Sequence, residues 1–459
     1  LSCGGSTIEE IAYAVKITNK NGIKPILLHG FQAYPTHIED THLNRISTLK
    51  NIFKGSCDYG YQDHISGDDP MNLTVSQIAL AYGANYIEKH VTLNRKEKGV
   101  DYYSSIEPSE LKKFVYSIRQ SEKSIGSSRI QFSSSEKKYR TEMKKFWVTK
   151  KKLKKNQILK KTDLIMKRID KSNLHNFFIE DILGKKILQD IEKETIIKKS
   201  FFKNHVTALI VVRTASKRLP QKSLKKICGL RTIEHCIRRV KTSKKIDNII
   251  LCTTNLQEDK VLHKIAKKNK IDFYAGEVDD VLLRMINAVK KKKTDLIIRV
   301  TGDDILINPY YLNKTINFHL ENNFDYTDNK SLPSGTEVEI FNKEVLKKIH
   351  FLAIDPSGTE YLTFYIKNNL NFFNTGSLKL EKKIIKILKL TLDTPADFKI
   401  IKLFLEEMNN QNKLFSHTLD DMLKFYKRNI ELFKKNKKKI KGQKVNTDLE
   451  WKKILNYQS

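Results

Sequence analysis

The sequence predicts an α/β protein of several domains: part of a (β/α)8 barrel, then a small β-rich segment, then a second α/β domain. Three observations carry this. The chain has 459 residues, which at roughly 150 residues per domain makes about three structural units. Hydrophobic residues make up 39%, with 22 Phe and 18 Tyr, enough to build packed cores. Helical periodicity alternates with short apolar runs at about thirty residues per cycle at the start of the chain, the rhythm of βα units, and helices again separate apolar strands after Thr207.

Taken in order, Ile8, Ile11, Ala12 and Val15 keep helical spacing behind Thr7 as N-cap, and Gly22 stops the run. A strand over 26–29 comes next, then a helix over 44–53, a strand over 57–61, a helix over 73–82 and a strand over 86–88. A barrel has eight such units, so residues 1–126 read as its second half, and the chain reads as starting inside a domain. The Ser-rich stretch within 127–145 reads as a linker. Residues 146–203 hold short β pieces at Phe146-Trp147-Val148, Ile158-Leu159, Asp163-Leu164-Ile165 and Ile196-Ile197. The second α/β domain spans 207–405. It opens on the continuous apolar run 208–212, typical of a buried parallel strand, with further strands over 249–252 and 296–300 and helices over 233–240 and 261–267. Residues 406–459 read as a Lys-rich helical tail, with 434–441 a solvated run.

Lys+Arg 85 against Asp+Glu 52 leaves a net charge of +33, but only 14 of the 85 are Arg and the lysines are spread along the chain. Arginine carries most directional recognition of bases and phosphates, so the composition argues against nucleic acid as partner. A Lys-rich polyanion binder, whose affinity would fall steeply with salt, is the rival reading of another class. Five cysteines, odd in number, far apart and never in a C-x-x-C pair, indicate neither a disulfide framework nor a zinc site and fit a reducing cytoplasm. No apolar run approaches the ~18 residues of a membrane span, and Leu1 opens no targeting segment.

Residues that carry chemistry cluster where strands end. Gln32 and Tyr34 follow the first strand, Asp63-His64 the second, and Glu88-Lys89-His90 the third. Either His alone is satisfied by ordinary hydrogen bonding. Two on successive strand ends, each beside a carboxylate (Asp63, Glu88) able to orient it, leave metal ligation equally open. In the second α/β domain, Arg213-Thr214-Ala215-Ser216-Lys217-Arg218-Leu219-Pro220-Gln221-Lys222 follows the first strand. Its forked and point cations, Ser216 and backbone N–H groups suit a triphosphate at the carboxyl end of the sheet. Arg299-Val300-Thr301-Gly302-Asp303-Asp304 ends another buried strand, and Thr391-Leu392-Asp393-Thr394-Pro395-Ala396-Asp397 makes a second acidic turn. Asp303 and Asp393 together would supply two carboxylates to Mg²⁺, whereas Asp397 reads as a helix cap.

At these residues the chain resembles two families fused head to tail. Residues 207 to about 405 resemble the cytidylyltransferases of the spore coat polysaccharide and CMP-sialic acid synthetase kind. The resemblance runs through R-x-x-S-x-R-L-P-x-K at Arg213 to Lys222, Asp279-Asp280-Val281-Leu282 followed by Arg284, R-x-T-G-D at Arg299 to Asp303, and T-L-D-T-P-x-D at Thr391 to Asp397. Residues 1–126 resemble the second half of the sialic acid synthase barrel, through Tyr34-Pro35-Thr36, Gly60 with Asp63-His64, and Ile87-Glu88-Lys89-His90. Residues 146–203 resemble the antifreeze-like SAF domain that follows such barrels, including Leu183-Gly184-Lys185-Lys186. The sequence departs from the synthase pattern at Gly30-Phe31-Gln32, Gln62, Val100 and Ile169, and from the transferase pattern at Asp304-Ile305 and Glu337.

The synthase resemblance implies that His64 and His90 bind Mn²⁺ or Mg²⁺, that Gln32, Tyr34 and Asp101 line the sugar site with Asp101 catalytic, and that Ser2 contacts phosphoenolpyruvate. It further implies that Arg168 reaches the acylamino sugar in the partner subunit of a homodimer. The transferase resemblance implies that Arg213, Ser216, Arg218, Lys222 and Arg299 meet CTP, with Arg213, Lys222 and Asp303 catalytic, and that Asp303 and Asp393 hold Mg²⁺. The expected activity is bifunctional: condensation of phosphoenolpyruvate with an acylamino sugar, then CMP activation of the sialic-acid-like product. The alternative is an active transferase carrying a truncated barrel as remnant or scaffold.

Overall fold

The computed structural model describes residues 1–127, 132–169, 178–216, 218–355, 362–370, 372–379 and 388–434, together with 449 and 453. The chain divides into two compact units, Leu1–Ile130 and Gln131–Ser459.

The first unit begins with α1 (Ile8–Lys20), whose N-cap Thr7 and Glu10 satisfy each other's backbone N–H groups at 3.3 and 2.8 Å. Then come β1 (Ile26–His29), α2 (Asn44–Ile52), β2 (Asp58–Asp63), α3 (Val75–Ala81), β3 (Tyr86–Lys89) and α4 (Pro108–Ile125). Where half of a barrel is expected, the strands make an open parallel sheet in the order β1-β2-β3. Residues 1–3 continue it along the free edge of β1, with Leu28 N donating to Leu1 O at 2.8 Å and Cys3 N to Leu28 O at 2.9 Å. Tyr59 and Tyr61 of β2 pack with Ile11, Val15, Ile46, Leu49, Val75 and Ala79 of the helices. Strand alternation therefore turns Gln62 to the other face, where it pairs in register with Glu88 of β3.

The second unit opens with α5 (Ser134–Met143), capped by Ser133 and Glu136. Most of the stretch expected to be a linker is thus a helix. The Ser-rich composition concealed a capping box, Ser133-x-x-Glu136. Next, β4 (Lys145–Thr149) pairs antiparallel with β5 (Leu164–Arg168), and turns and isolated bridges continue to Phe202 around a small core of Leu153, Leu159, Leu164, Ile179, Ile182, Ile187, Ile191, Ile197 and Phe202. Hydrogen bonds tie this segment to the α/β domain on its carboxyl side: Lys203 Nζ reaches Asp247 at 2.7 Å, Lys185 Nζ reaches Asp295 at 3.0 Å, and Lys199 N donates to Asn323 at 2.8 Å, while His205 N and Val206 N, where the next strand begins, reach Asp295 and Asp247 at 2.7 and 2.8 Å.

The remaining elements are β6 (Val206–Val211), the β7 (Lys226–Ile227) and β8 (Leu230–Arg231) hairpin, α6 (Thr232–Lys241), β9 (Asn248–Thr254), α7 (Val261–Lys268), β10 (Asp272–Gly276), α8 (Val281–Ala288), β11 (Leu296–Thr301), α9 (Pro309–Glu321), β12 (Tyr326–Asp328), β13 (Glu339–Asn342), α10 (Lys343–Leu352), α11 (Leu362–Lys367), β14 (Thr375–Ser377), α12 (Pro395–Asn410), α13 (Leu419–Arg428) and α14 (Ile430–Lys434). Seven strands form one sheet, β10-β9-β6-β11-β13-β12-β14, in which β13 alone runs against its neighbours. Residues beyond 405 belong to this fold's core: Met408, Leu419, Met422 and Phe425 are buried in the cluster that holds β6 and β11. Of the run 434–441, residues 435–441 lie outside the described residues. From β6 the chain builds to β9 on one side and to β11 on the other, and open α/β sheets bind ligands in the crevice beyond the carboxyl ends at such a reversal.

Candidate functional site

Two loops meet at that crevice. Gly302 sits where a Cβ would come within 2.6 Å of Val212 Cβ, and Gly302 N donates to Val211 O at 2.9 Å, so only glycine lets the β11 turn lie against the end of β6. Leu392 N donates to Asp303 O at 3.1 Å, which brings the second acidic turn alongside the first. Lys222 Nζ contacts Asp303 and lies 3.3 Å from Asp393, while Arg218 donates to Asp393 at 3.0 Å. Burial pushes the Asp393 carboxyl up, but Lys222 and Arg218 outweigh it and hold the group below the ordinary range. Asp397 caps α12 with Thr394, as expected.

Asp304, one residue past Asp303, is buried, and burial together with the Asp303 charge pushes its carboxyl well up. Arg213 is exposed on the loop and Ser216 Oγ accepts from Leu219 N at 3.5 Å. Arg299 donates to Glu339 at 2.7 Å across the β11–β13 pair. Tyr326, Lys330 and Thr363 meet the same carboxylate. Burial alone would raise Glu339, but Arg299 and Lys330 hold it at about 2. Asp259, which sequence reasoning passed over, anchors the start of the loop: its Oδ1 accepts from Thr214 N and Thr214 Oγ1, both at 2.7 Å. Its signal was an acidic residue just after the end of β9.

In the first unit the rings of His64 and His90 lie 5.1 Å apart, with Tyr34 edge-on to them at 5.1 and 5.7 Å. His64 is buried and its Nδ1 has no hydrogen-bond partner among the described residues. Burial, and then the neighbouring His90, push its imidazole down, towards the neutral form. Asp101 stands 3.7 Å from His90 Nδ1. The orienting carboxylates expected beside the imidazoles do other work. Asp63 accepts from Lys89 Nζ at 2.8 Å, Ser76 Oγ at 2.7 Å and Ile65 N at 3.1 Å, because neighbouring residues of a strand face opposite ways. Glu88 accepts from Gln62, whose carbonyl accepts from Ser2 Oγ at 2.8 Å. Gln32 is exposed. Arg168 is exposed at the end of β5 in the second unit.

Among the described residues no group of three or more His, Cys, Asp or Glu is arranged to hold a metal ion; the two candidate places each bring two such groups together. Both pairs fit one. His64 and His90 offer two close imidazoles, one with an unpartnered buried nitrogen, and Asp303 and Asp393 already share a cation in Lys222. No helix among the described residues is long and apolar enough to cross a membrane.

Residues 1–130 match the model of the NeuB family and residues 207–438 that of the cytidylyltransferase family. The chain is similar to uncharacterized protein MJ1063 of Methanocaldococcus jannaschii, at 34% identity over 42% of this chain and 81% of that one. It is similar to MJ1065 of the same organism, at 37% over 43% of this chain and 56% of that one. With the N,N'-diacetyllegionaminic acid synthase of Campylobacter jejuni it shares 34% over 43% of this chain and 58% of that one. The chain thus spans little over half the length of the last two. With half of its residues matched by that family's model, the protein belongs to the cytidylyltransferase family and is a transferase, carrying a NeuB-family domain ahead of the cytidylyltransferase one.

Proposed function

We propose that the protein performs two consecutive steps in making an activated nonulosonic, sialic-acid-like sugar: condensation of phosphoenolpyruvate with an acylamino sugar, then transfer of a cytidylyl group from CTP to the product. The observation that carries the second step is the convergence of Lys222 and Arg218 on Asp303 and Asp393 at the crevice between β6 and β11. A triphosphate entering there meets Arg213, Arg218 and Lys222, and the backbone held by Asp259 keeps their loop in place. The anomeric hydroxyl of the sugar attacks the α-phosphorus, the bond to the bridging oxygen breaks, pyrophosphate leaves and the hydroxyl proton passes to solvent. Mg²⁺, when bound, neutralises phosphate charge and orients the leaving group, and Asp303 and Asp393 are the residues to hold it.

For the first step, His64 and His90 would hold Mn²⁺ or Mg²⁺, which when bound polarises the sugar aldehyde. Tyr34, Asp101 and Gln32 would contact the sugar and Ser2 the phosphoenolpyruvate. C3 of phosphoenolpyruvate bonds to the aldehyde carbon, and phosphate leaves after water adds at C2. Arg168 would complete the sugar site of a second subunit, and the reactions would run in the cytoplasm. Pyrophosphate release from CTP, dependent on Mg²⁺ and on an added nonulosonic acid, tests the transfer. Its absence with every nonulosonic acid tried would end that reading. Phosphate release from phosphoenolpyruvate with an acylamino hexose and Mn²⁺ tests the condensation. Light scattering at micromolar concentration tests the dimer, and a strictly monomeric mass would count against it.

A further inference from the structure

We propose that Lys222 and Arg218 stand in for the metal while the nucleotide is away, so that Asp303 and Asp393 accept a divalent cation only when a triphosphate draws the two basic side chains off. The inference rests on the cytidylyl-transfer reading of this site.

The backbone at Asp303, Asp393 and Lys222 is held by hydrogen bonds, and the side-chain ends differ in reach. Asp303 is held through its carbonyl by Leu392 N and through Gly302 against Val212. Lys222 is held through its carbonyl by Thr232 Oγ1 at 2.5 Å, which leaves its four-carbon stem to swing. The Arg218 side chain is 50% exposed, while those of Lys222, Asp303 and Asp393 are 17%, 16% and 13% exposed. Arg218 is thus free to move through its exposure and Lys222 through its long unbranched stem, whereas the short carboxylate side chains have little reach. With no nucleotide, two positive groups match two carboxylates. With nucleotide and metal, the same two positive groups match phosphate oxygens and the divalent cation matches the two carboxylates. In both states each partly buried carboxylate faces a positive partner, so neither is left alone. A divalent cation arriving first would instead face an ammonium and a guanidinium a few ångströms away, a repulsion that water screens less at partly buried Lys222 than at half-exposed Arg218.

The test is Mn²⁺ binding to the full chain without nucleotide, read from the electron paramagnetic resonance signal of free Mn²⁺. Wild type is compared with Lys222→Gln, Arg218→Gln and the double variant Lys222→Gln/Asp303→Asn. Lys222→Gln should gain nucleotide-free Mn²⁺ affinity at this site by about ten-fold or more, and the added Asp303→Asn should remove the gain. Mn²⁺ held elsewhere, at His64 and His90, appears alike in every variant and cancels. Arg218→Gln, a change at an exposed side chain, should show a smaller gain and gives the comparison if Lys222→Gln does not fold. Equal Mn²⁺ binding by wild type and both single variants would overturn the proposal. Calorimetric titration of wild type with CTP and Mg²⁺ separates the two readings: no CTP binding would end the transfer reading, while the Mn²⁺ comparison would still report on the cations.

Discussion

At the strand ends of residues 131–459, Lys222, Arg218, Asp303 and Asp393 are paired with one another. At the strand ends of residues 1–130, two imidazoles and a tyrosine ring face each other, and one buried imidazole nitrogen has no partner among the described residues. The first site is saturated and must exchange partners to bind. The second is under-coordinated and needs only to gain one. The difference lies in charge. Asp303 and Asp393 share Lys222 as a counter-ion, whereas the His64 imidazole, pushed down towards its neutral form, needs none.

The most direct way to break this comparison is Asp303→Asn. It should leave the fold intact and lower Mg²⁺-dependent pyrophosphate release by about 10³-fold, the scale of losing one charge-stabilising group in an active site. Unchanged turnover would take Asp303 out of the mechanism. Next in size, the neighbours Asp63 and His64 should separate by stability. Asp63→Ala leaves Lys89 buried without its counter-ion, the two side chains being 0% and 3% exposed, and should cost about 3–5 kcal/mol in urea unfolding. His64→Ala should cost about 1–2 kcal/mol, since it removes a ring that makes packing contacts and no hydrogen bond at Nδ1. Equal losses would mean that the imidazole is structural.

A smaller effect sharpens the account of paired charge. Glu339→Gln keeps a hydrogen bond to Arg299 but loses the charge, and should cost about 2 kcal/mol at pH 7. Because the folded carboxyl is held at about 2, below the ordinary 4.5, the charge contributes fully above about pH 4.5 and is lost as pH falls toward 2. The stability gap between wild type and variant should therefore narrow on acidification; a constant gap would show that charge is not the reason. Smallest, Thr7→Ala removes the cap of α1 and should cost about 1 kcal/mol without changing the Mn²⁺ binding proposed for His64 and His90.

The helix and strand alternation was legible because apolar spacing is local, and strand 26–29 has the bounds read from the sequence. The loop from Arg213 to Lys222 and the turn at Asp303 were legible for the same reason: each directly follows a buried strand. What escaped depends on pairing. Glu339 opposite Arg299 follows from an antiparallel β13 inserted in an otherwise parallel sheet, and no spacing in the sequence announces that register. Asp259 beneath Thr214 joins positions that only the fold brings together. One miss was avoidable. Asp63 and His64 are adjacent, and the two-residue period of a strand already sends them to opposite faces. Serine content at 127–145 suggests flexibility, but Ser133 with Glu136 caps a helix, and that spacing rather than the composition carries the signal.

The ties between residues 185–206 and the amino ends of the sheet bear on where the chain can be cut. A fragment starting at residue 207 would keep the whole crevice yet lose Lys203, His205 and Val206, leaving Asp247 and Asp295 facing solvent beside the first strand with their partners gone. One starting at residue 178 would retain Lys185 and Lys199 as well, and with them the bonds to Asp295 and Asn323. For anyone expressing the transferase by itself, the segment that resembles a separate module is better treated as the first turn of the domain it precedes.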